Sequence, residues 1–319
     1  MGAGLWGAAL ADHLARRGRR VRLWEFFKDA ACRLQETRRH PHMPGFRLAP
    51  GVRVGSDMAE AAAGAHLILM VVPSAFVRRT ARSLAPLLKG RTPTLVNASK
   101  GVEPRTLRTM GQVILEEIPG LSARLYTLSG PSFAKEVAAG VPTKLVLAGP
   151  SGARARKALA ALSGGALGVE HSPDRVGVEL GGSLKNVLAI GCGVLAGLGA
   201  GANTKAAFFV QGMRELEALV VRSGGRRETI YGLAGLGDTI LTGSSAQSRN
   251  WSLGEKLGRG KSLAVALKEV VTVAEGVESA LSARTLARAG RLKCPLIEAV
   301  WRVVHRGAAP RTVVTAMGF

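Results

Sequence analysis

The sequence predicts an α/β domain followed by an all-α domain, on three observations. Residues 2–7 read Gly-Ala-Gly-Leu-Trp-Gly and run directly into the helix-forming stretch 8–17. From there to about residue 172, short apolar runs alternate with helical patterns, as parallel strands joined by crossover helices do. Beyond Pro173 the strand pattern stops, and Ala, Leu and Val recur at helical spacing between Gly-rich turns. The boundary therefore falls between residues 172 and 173.

Each glycine of the opening GxGxxG has a separate task. Gly2 permits the tight turn, Gly4 lets backbone approach a pyrophosphate, and Gly7 lets the helix pack closely, with phosphate on the helix N-terminus. Gly18 ends that helix and residues 21–24 form a strand that closes on Glu25, 18 residues after Gly7. A carboxylate there can accept both ribose hydroxyls and repel a 2′-phosphate, which favours NAD. Lys28 is close enough to leave NADP open. A doubly wound domain of the Rossmann type needs about five or six apolar residues before the first glycine. Only Met1 stands there, so the first strand is apparently missing, and a start assigned too late is the expected reason.

The alternation continues with a strand at 52–54, a helix capped by Ser56 and running through 63, and a fully buried strand at 66–72 that Pro73 stops. A helix over 75–88 leads to a strand at 94–97, which puts Lys100 at the carboxyl edge, where doubly wound sheets bind ligands. After a strand at 126–129, residues 130–136 begin a helix with Pro131 in its first turn. Ser132 and the free amides there can meet an anion or the nicotinamide ribose. Strands at 143–148 and 169–172 complete the half.

In the second half, residues 181–190 set Lys185 and Asn186 among small and apolar residues. At helical spacing Val178, Gly181, Gly182, Leu188, Ala189 and Cys192 share the face of Lys185, so the ammonium is placed where water is scarce. Taken alone, such a lysine more often snorkels outward. Adjacent glycines within a helix cost roughly 1 kcal/mol each, a loss explained if a ligand or another backbone approaches; room for substrate and nicotinamide is the expectation. Asp238 follows a Gly turn and can orient an ammonium. Arg249 and Asn250, after Ser248, can grip a phosphate through a planar fork plus an amide.

The 319 residues, 47% of them apolar, suffice for two cored domains, and nothing in the composition argues disorder. Cys32, Cys192 and Cys294 are scattered without metal spacing, which argues against a disulfide framework or a metal site and fits a reducing cytoplasm. The longest unbroken apolar run, 67–72, is too short to span a bilayer. The net charge of +22 is spread in ones and twos, so it reads as a solvated basic surface that steers anionic substrates and binds no specific nucleic acid.

These motifs resemble the bacterial NAD(P)-dependent glycerol-3-phosphate dehydrogenases. The resemblance runs through GAGLWG at 2–7, NASKG at 97–101, SGPSFAKEVAAGVPT at 129–143, GVELGGSLKNVLAIGCG at 177–193, AGLGDTILT at 234–242, QSRN at 247–250 and VAEGVES at 273–279. It implies reversible reduction of dihydroxyacetone phosphate to sn-glycerol 3-phosphate, a phospholipid precursor, by a cytoplasmic homodimer without membrane insertion. Residues 1–172 would bind the dinucleotide, residues 173–319 the substrate, with the active site between them. Lys185 would be the general acid/base, with Lys100 and Asn186 on substrate oxygens and Asp238 and Thr242 ordering the set. Arg249 and Asn250 would grip the phosphate, with Gly130, Ser132 and Ser248 also on the substrate side. Leu5, Trp6, Ala134, Val273 and Glu275 correspond to cofactor contacts, shared by Lys100 and Arg249. Desolvation and the neighbouring cation Lys100 would make the Lys185 ammonium acidic enough to give up its proton. A direct pair with Asp238 would oppose this, so Asp238 is expected to orient. Where the family often has a basic residue two positions after the tryptophan of strand two, this chain has Phe26, which again favours NAD. Two rival readings stay open: a related dehydrogenase acting on another hydroxy acid or sugar phosphate, and an inactive NAD-sensing or nucleic-acid-binding protein.

Overall fold

The structure, a computed structural model, describes residues 1–270 and 275–319. It divides into two compact units, Met1–Lys100 with Met110–Arg175, and Gly101–Thr109 with Val176–Phe319. The chain thus leaves the first unit after Lys100 and returns at Met110, an excursion without a sequence signal. The excursion is anchored in the second unit: Val102 lies in its core, Ser282 Oγ donates to the Val102 carbonyl at 3.1 Å, and the Gly101 amide donates to Ser183 Oγ at 2.8 Å.

In the first unit the order is α1 (Leu5–Arg16), β1 (Val21–Trp24), α2 (Lys28–Thr37), β2 (Val52–Gly55), α3 (Met58–Ala62), β3 (Leu67–Met70), α4 (Ser74–Leu84) and β4 (Thr94–Asn97). After the excursion come α5 (Met110–Glu117), β5 (Leu125–Ser129), α6 (Ala134–Ala138), β6 (Thr143–Ala148), α7 (Ala153–Leu162) and β7 (Leu167–Ser172). β1 and β2 form a two-stranded parallel sheet, and β3 to β7 a five-stranded mixed sheet in sequential order. Met1 and Gly2 link the two: the Met1 amine donates to Leu69 O and Val71 N to Met1 O, each at 2.8 Å, while Gly2 N donates to Trp24 O at 2.9 Å. This gives the Rossmann-type order, with a single rung of backbone where the central strand of the pattern would run.

Four local expectations change. β3 alternates half-buried and buried residues, so it is not covered on both faces, whereas β4 and β5 are. Asp57, not Ser56, caps α3, because its carboxylate reaches two amides, Ala59 at 2.7 Å and Glu60 at 3.3 Å. The helix over 75–88 ends as α4 at Leu84 and continues only as a 3-10 turn, where Pro86 supplies no amide to the α ladder. Residues 130–132 are loop, and α6 starts after Phe133. In addition, β6 runs antiparallel to β5.

The second unit is helical among the described residues: α8 (Arg175–Gly197), α9 (Ala202–Arg222), α10 (Arg227–Ile230), α11 (Asp238–Ser244), α12 (Arg249–Gly258), α13 (Leu263–Glu269), α14 (Gly276–Ala289), α15 (Pro295–Arg306) and α16 (Thr312–Thr315). A π turn, Leu233–Gly237, leads into α11. α8 has the length and mean hydropathy, 1.3, of a membrane span, but 89% of that window is buried inside the protein, so it is the core helix. Its polar residues break the apolar run, which is why run length alone overlooks it.

Glycines fix what packs on α8. A Cβ on Gly193 would lie 2.0 Å from Trp251 O, and one on Gly254 2.0 Å from Ile190 O. Gly197 and Gly258 repeat the contact one turn on, with Cβ positions 2.2 Å from Glu255 O and 2.3 Å from Val194 O. α8 and α12 therefore meet backbone to backbone through glycines spaced four apart on one face of each. Gly181 does the same for the π turn, since its Cβ would sit 3.2 Å from both Ala234 O and Gly235 Cα. Its neighbour is protein backbone, in place of the ligand expected there.

Candidate active site

The π turn delivers Asp238 to Lys185. The lysine Nζ donates to Asp238 Oδ1 and, at 2.7 Å, to Thr242 Oγ1, while the Thr242 hydroxyl donates to the Asp238 carbonyl one turn back, also at 2.7 Å. Lys185 is 6% exposed and Asp238 1%, so this is an ion pair removed from water. The sequence reading gave Asp238 an orienting role on the ground that a direct pair would hold the lysine charged. The pair is direct, and the carboxylate favours the ammonium over the amine at this position. The set is thus an ammonium held in one orientation by two acceptors. π turns recur where a helix is distorted to place a functional group.

Asn186, next on α8, is buried. Ser248 caps α12, its hydroxyl accepting from Trp251 N at 3.3 Å, so it serves the helix start. Arg249 is exposed in the first turn of α12. Asn250 is buried, and its Oδ1 accepts from Gly276 N at 2.9 Å, so what it can offer a ligand is its amide NH2. That bond ties α12 to the start of α14, immediately after Glu275. Val273 lies outside the described residues.

In the first unit, three of the expected residues converge at the carboxyl edge of the sheet. Lys100 Nζ donates to Gly130 O at 3.4 Å, and Ser132 Oγ donates to the same oxygen at 3.1 Å. Ala134 opens α6, which packs on α1. At α1 the GxGxxG turn fits a dinucleotide. Gly2 has φ +99°, and a Cβ on it would lie 2.6 Å from Val71 O; one on Gly7 would lie 1.9 Å from Gly2 O. Gly4, the N-cap, has open space where its Cβ would be and no side-chain cap, so the amides of the first turn, from Leu5 and Trp6 onward, present an anion-binding start. Glu25 follows β1 with one carboxylate oxygen accepting from Phe27 N at 3.2 Å. Beside it Phe26, 52% exposed, stacks edge-on to Trp24, and Arg79, which the sequence did not single out, sets its guanidinium 5.1 Å from that ring's centre. Phe26 offers a flat face beside the Glu25 carboxylate, and only the fold brings α4 to it. Among the described residues no group of three or more His, Cys, Asp or Glu is placed to hold a metal.

The chain matches the N-terminal profile of NAD-dependent glycerol-3-phosphate dehydrogenase over residues 1–155 and the C-terminal profile over 174–315. It is 40% identical to a glycerol-3-phosphate dehydrogenase (NAD(P)+) of a Geobacter species, over 98% of this chain and 94% of that protein. A counterpart in Salinibacter ruber is 42% identical over 98% and 91% of the two chains. The crystal structure of glycerol-3-phosphate dehydrogenase from Coxiella burnetii superposes with a TM-score of 0.92 at 34% identity, covering 98% of this chain and 96% of that one. The chain therefore belongs to the NAD-dependent glycerol-3-phosphate dehydrogenase family.

Proposed function

We propose that this protein is a cytoplasmic, homodimeric dehydrogenase that reversibly reduces dihydroxyacetone phosphate to sn-glycerol 3-phosphate for phospholipid synthesis. The buried Lys185, Asp238 and Thr242 set carries the reading. When bound, the reduced nicotinamide supplies hydride to C2 of the ketone. Lys185 gives its proton to the C2 oxygen, so that the carbonyl becomes an alcohol, and Asp238 and Thr242 keep the Nζ aimed throughout. In the reverse direction the amine takes that proton back. Lys100 and Asn186 hold substrate oxygens, and Gly130, Ser132 and Ser248 shape the substrate side. Arg249 and the Asn250 amide bind the phosphate, remote from the reacting carbon, and that binding energy helps exclude water from the chemistry.

The Leu5, Trp6 and Gly7 amides take the cofactor's pyrophosphate, and Ala134, Val273 and Glu275 complete its contacts. Glu25 accepts the adenosine ribose hydroxyls, which makes NAD the preferred cofactor; Phe26 beside it carries no charge to meet a 2′-phosphate, and Arg79 stacks on that ring. Comparing kcat/KM for NADH and NADPH tests this, and a preference for NADPH overturns it.

The substrate reading is tested by Arg249→Ala. Loss of one or two charge-assisted hydrogen bonds should raise KM for dihydroxyacetone phosphate about 10- to 100-fold. An unchanged KM would remove the phosphate assignment.

A further inference from the structure

The loop that follows α2 reaches the glycine turn through one buried side chain. His40 is 7% exposed; its Nε2 lies 3.1 Å from Ala3 O, and its Nδ1 lies 3.2 Å from His42 N. A backbone amide can only donate, so Nδ1 is the acceptor and carries no proton. A carbonyl can only accept, so Nε2 carries one. Both contacts together fit a single species, the neutral Nε2–H imidazole. Ala3 stands between Gly2 and Gly4, and the peptide it leads into caps α1. Fixing its carbonyl therefore fixes the direction in which the first amides of α1 point.

The loop itself is firmly held at its base. Arg39 bridges Arg47, Leu48 N donates to Arg38 O at 2.9 Å, and Asp12 of α1 accepts from Ala49 N at 2.7 Å. His40 is thus a strut between a rigid support and a turn that contains two glycines.

We propose that His40 is a positioning residue for the dinucleotide: it holds the glycine turn at Ala3 so that the α1 amides converge on the pyrophosphate, and does so only as the neutral imidazole. The proposal rests on the reading of that turn as the cofactor site. Protonation places an N–H against the His42 N–H, two donors face each other, and the strut must shift. The charged and titratable groups around it are His42, Arg39 and Arg47 on the loop, Arg33 on α2, Asp12 paired with Arg16 on α1, and Glu25 after β1. Burial foremost, and His42, hold the imidazole below its ordinary value, against the Ala3 contact and Glu25. It is therefore neutral at pH 7.5 and takes up a proton only at a pH below the ordinary imidazole range.

The test is NADH binding to the full chain, read by fluorescence titration at pH 7.5 and pH 5, with steady-state kinetics alongside. His40→Ala should weaken binding about tenfold at pH 7.5, the loss of one neutral hydrogen bond, raising KM for NADH while KM for dihydroxyacetone phosphate stays put. Wild-type affinity should fall toward the Ala value at pH 5. In His40→Gln the amide NH2 can donate to Ala3 O and the Oε1 can accept from His42 N, so affinity should return and no longer depend on pH over this range. Wild-type affinity in His40→Ala, or an acid-induced loss that persists in His40→Gln, would overturn the proposal. A wild-type protein that binds NADH but turns over no dihydroxyacetone phosphate would overturn the substrate reading and leave this test intact.

Discussion

At Lys185 and Asp238 two opposite charges sit inside one helical core, and the balance of their energetics differs from that of a surface pair. Each has given up hydration, so deleting one partner leaves the other stranded at a cost of about 3–5 kcal/mol, whereas replacing both by neutral groups costs far less. Urea melts should show Asp238→Asn strongly destabilised and the double variant with Lys185→Met more stable than Asp238→Asn alone; simple additivity would mean that the two are not coupled. Lys185→Met by itself should reduce kcat roughly 10²- to 10⁴-fold, the worth of a general acid, while NADH binding persists. The residue types of this site were legible because a Gly turn before Asp238 and a lysine in a small-residue helix are unusual in combination. Their direct contact was not, since sequence spacing says nothing about which helix faces meet. His40 and Arg79 carried no signature at all, and only the loop and helix that bring them to the glycine turn and to Phe26 give them meaning. The thiols offer a separate check. Burial pushes Cys192 and Cys294 up to about 12, whereas Cys32 is exposed. A disulfide reagent should therefore label one of the three cysteines in the folded protein and all three after denaturation.

Among the elements, α8 and α12 depend on contacts that admit no side chain. Gly193→Ala or Gly254→Ala must push the helices apart, at a cost of roughly 1–3 kcal/mol or more. Because Arg249 opens α12, the same change should also raise KM for the phosphate substrate. A variant with wild-type melting and KM would refute the packing argument. The glycines were visible in the sequence, but that the two spacings meet is a tertiary fact. Strands were legible from apolar runs, whereas the antiparallel β6 was not, because direction leaves no mark on composition. α9 and α15 are joined by another buried group: Glu215 accepts from Leu296 N at 2.9 Å and Ile297 N at 3.0 Å. Burial nevertheless raises its carboxyl from 4.5 to about 7, against those two amides. With the folded value above the unfolded one, its contribution is complete below about pH 4.5 and is lost as the pH rises through 7, an effect of about 3 kcal/mol by linkage. Glu215→Gln should flatten the fall in stability between pH 5 and pH 8 relative to wild type, as read from thermal melts at both.

For the molecule as a whole, the +22 charge has a kinetic meaning. An anionic substrate approaching a basic surface is drawn in by a field that salt screens over about 10 Å at 0.1 M. Raising ionic strength should lower kcat/KM for dihydroxyacetone phosphate more than it lowers kcat; insensitivity to salt would assign the charge to solubility alone. The two-part plan was legible from the loss of the strand pattern near residue 172, yet the borrowing of Gly101–Thr109 by the second unit was not, since nine ordinary loop residues carry no mark of where they dock. That borrowing bears on heredity. A recombination joint between relatives at the boundary near residue 175 would exchange the helical unit but leave behind the strip whose Val102 fills its core. Chimeras made there should fold poorly unless residues 101–109 come from the same parent as residues 176–319, so the two stretches are expected to be inherited as one module although 66 residues of the other unit separate them.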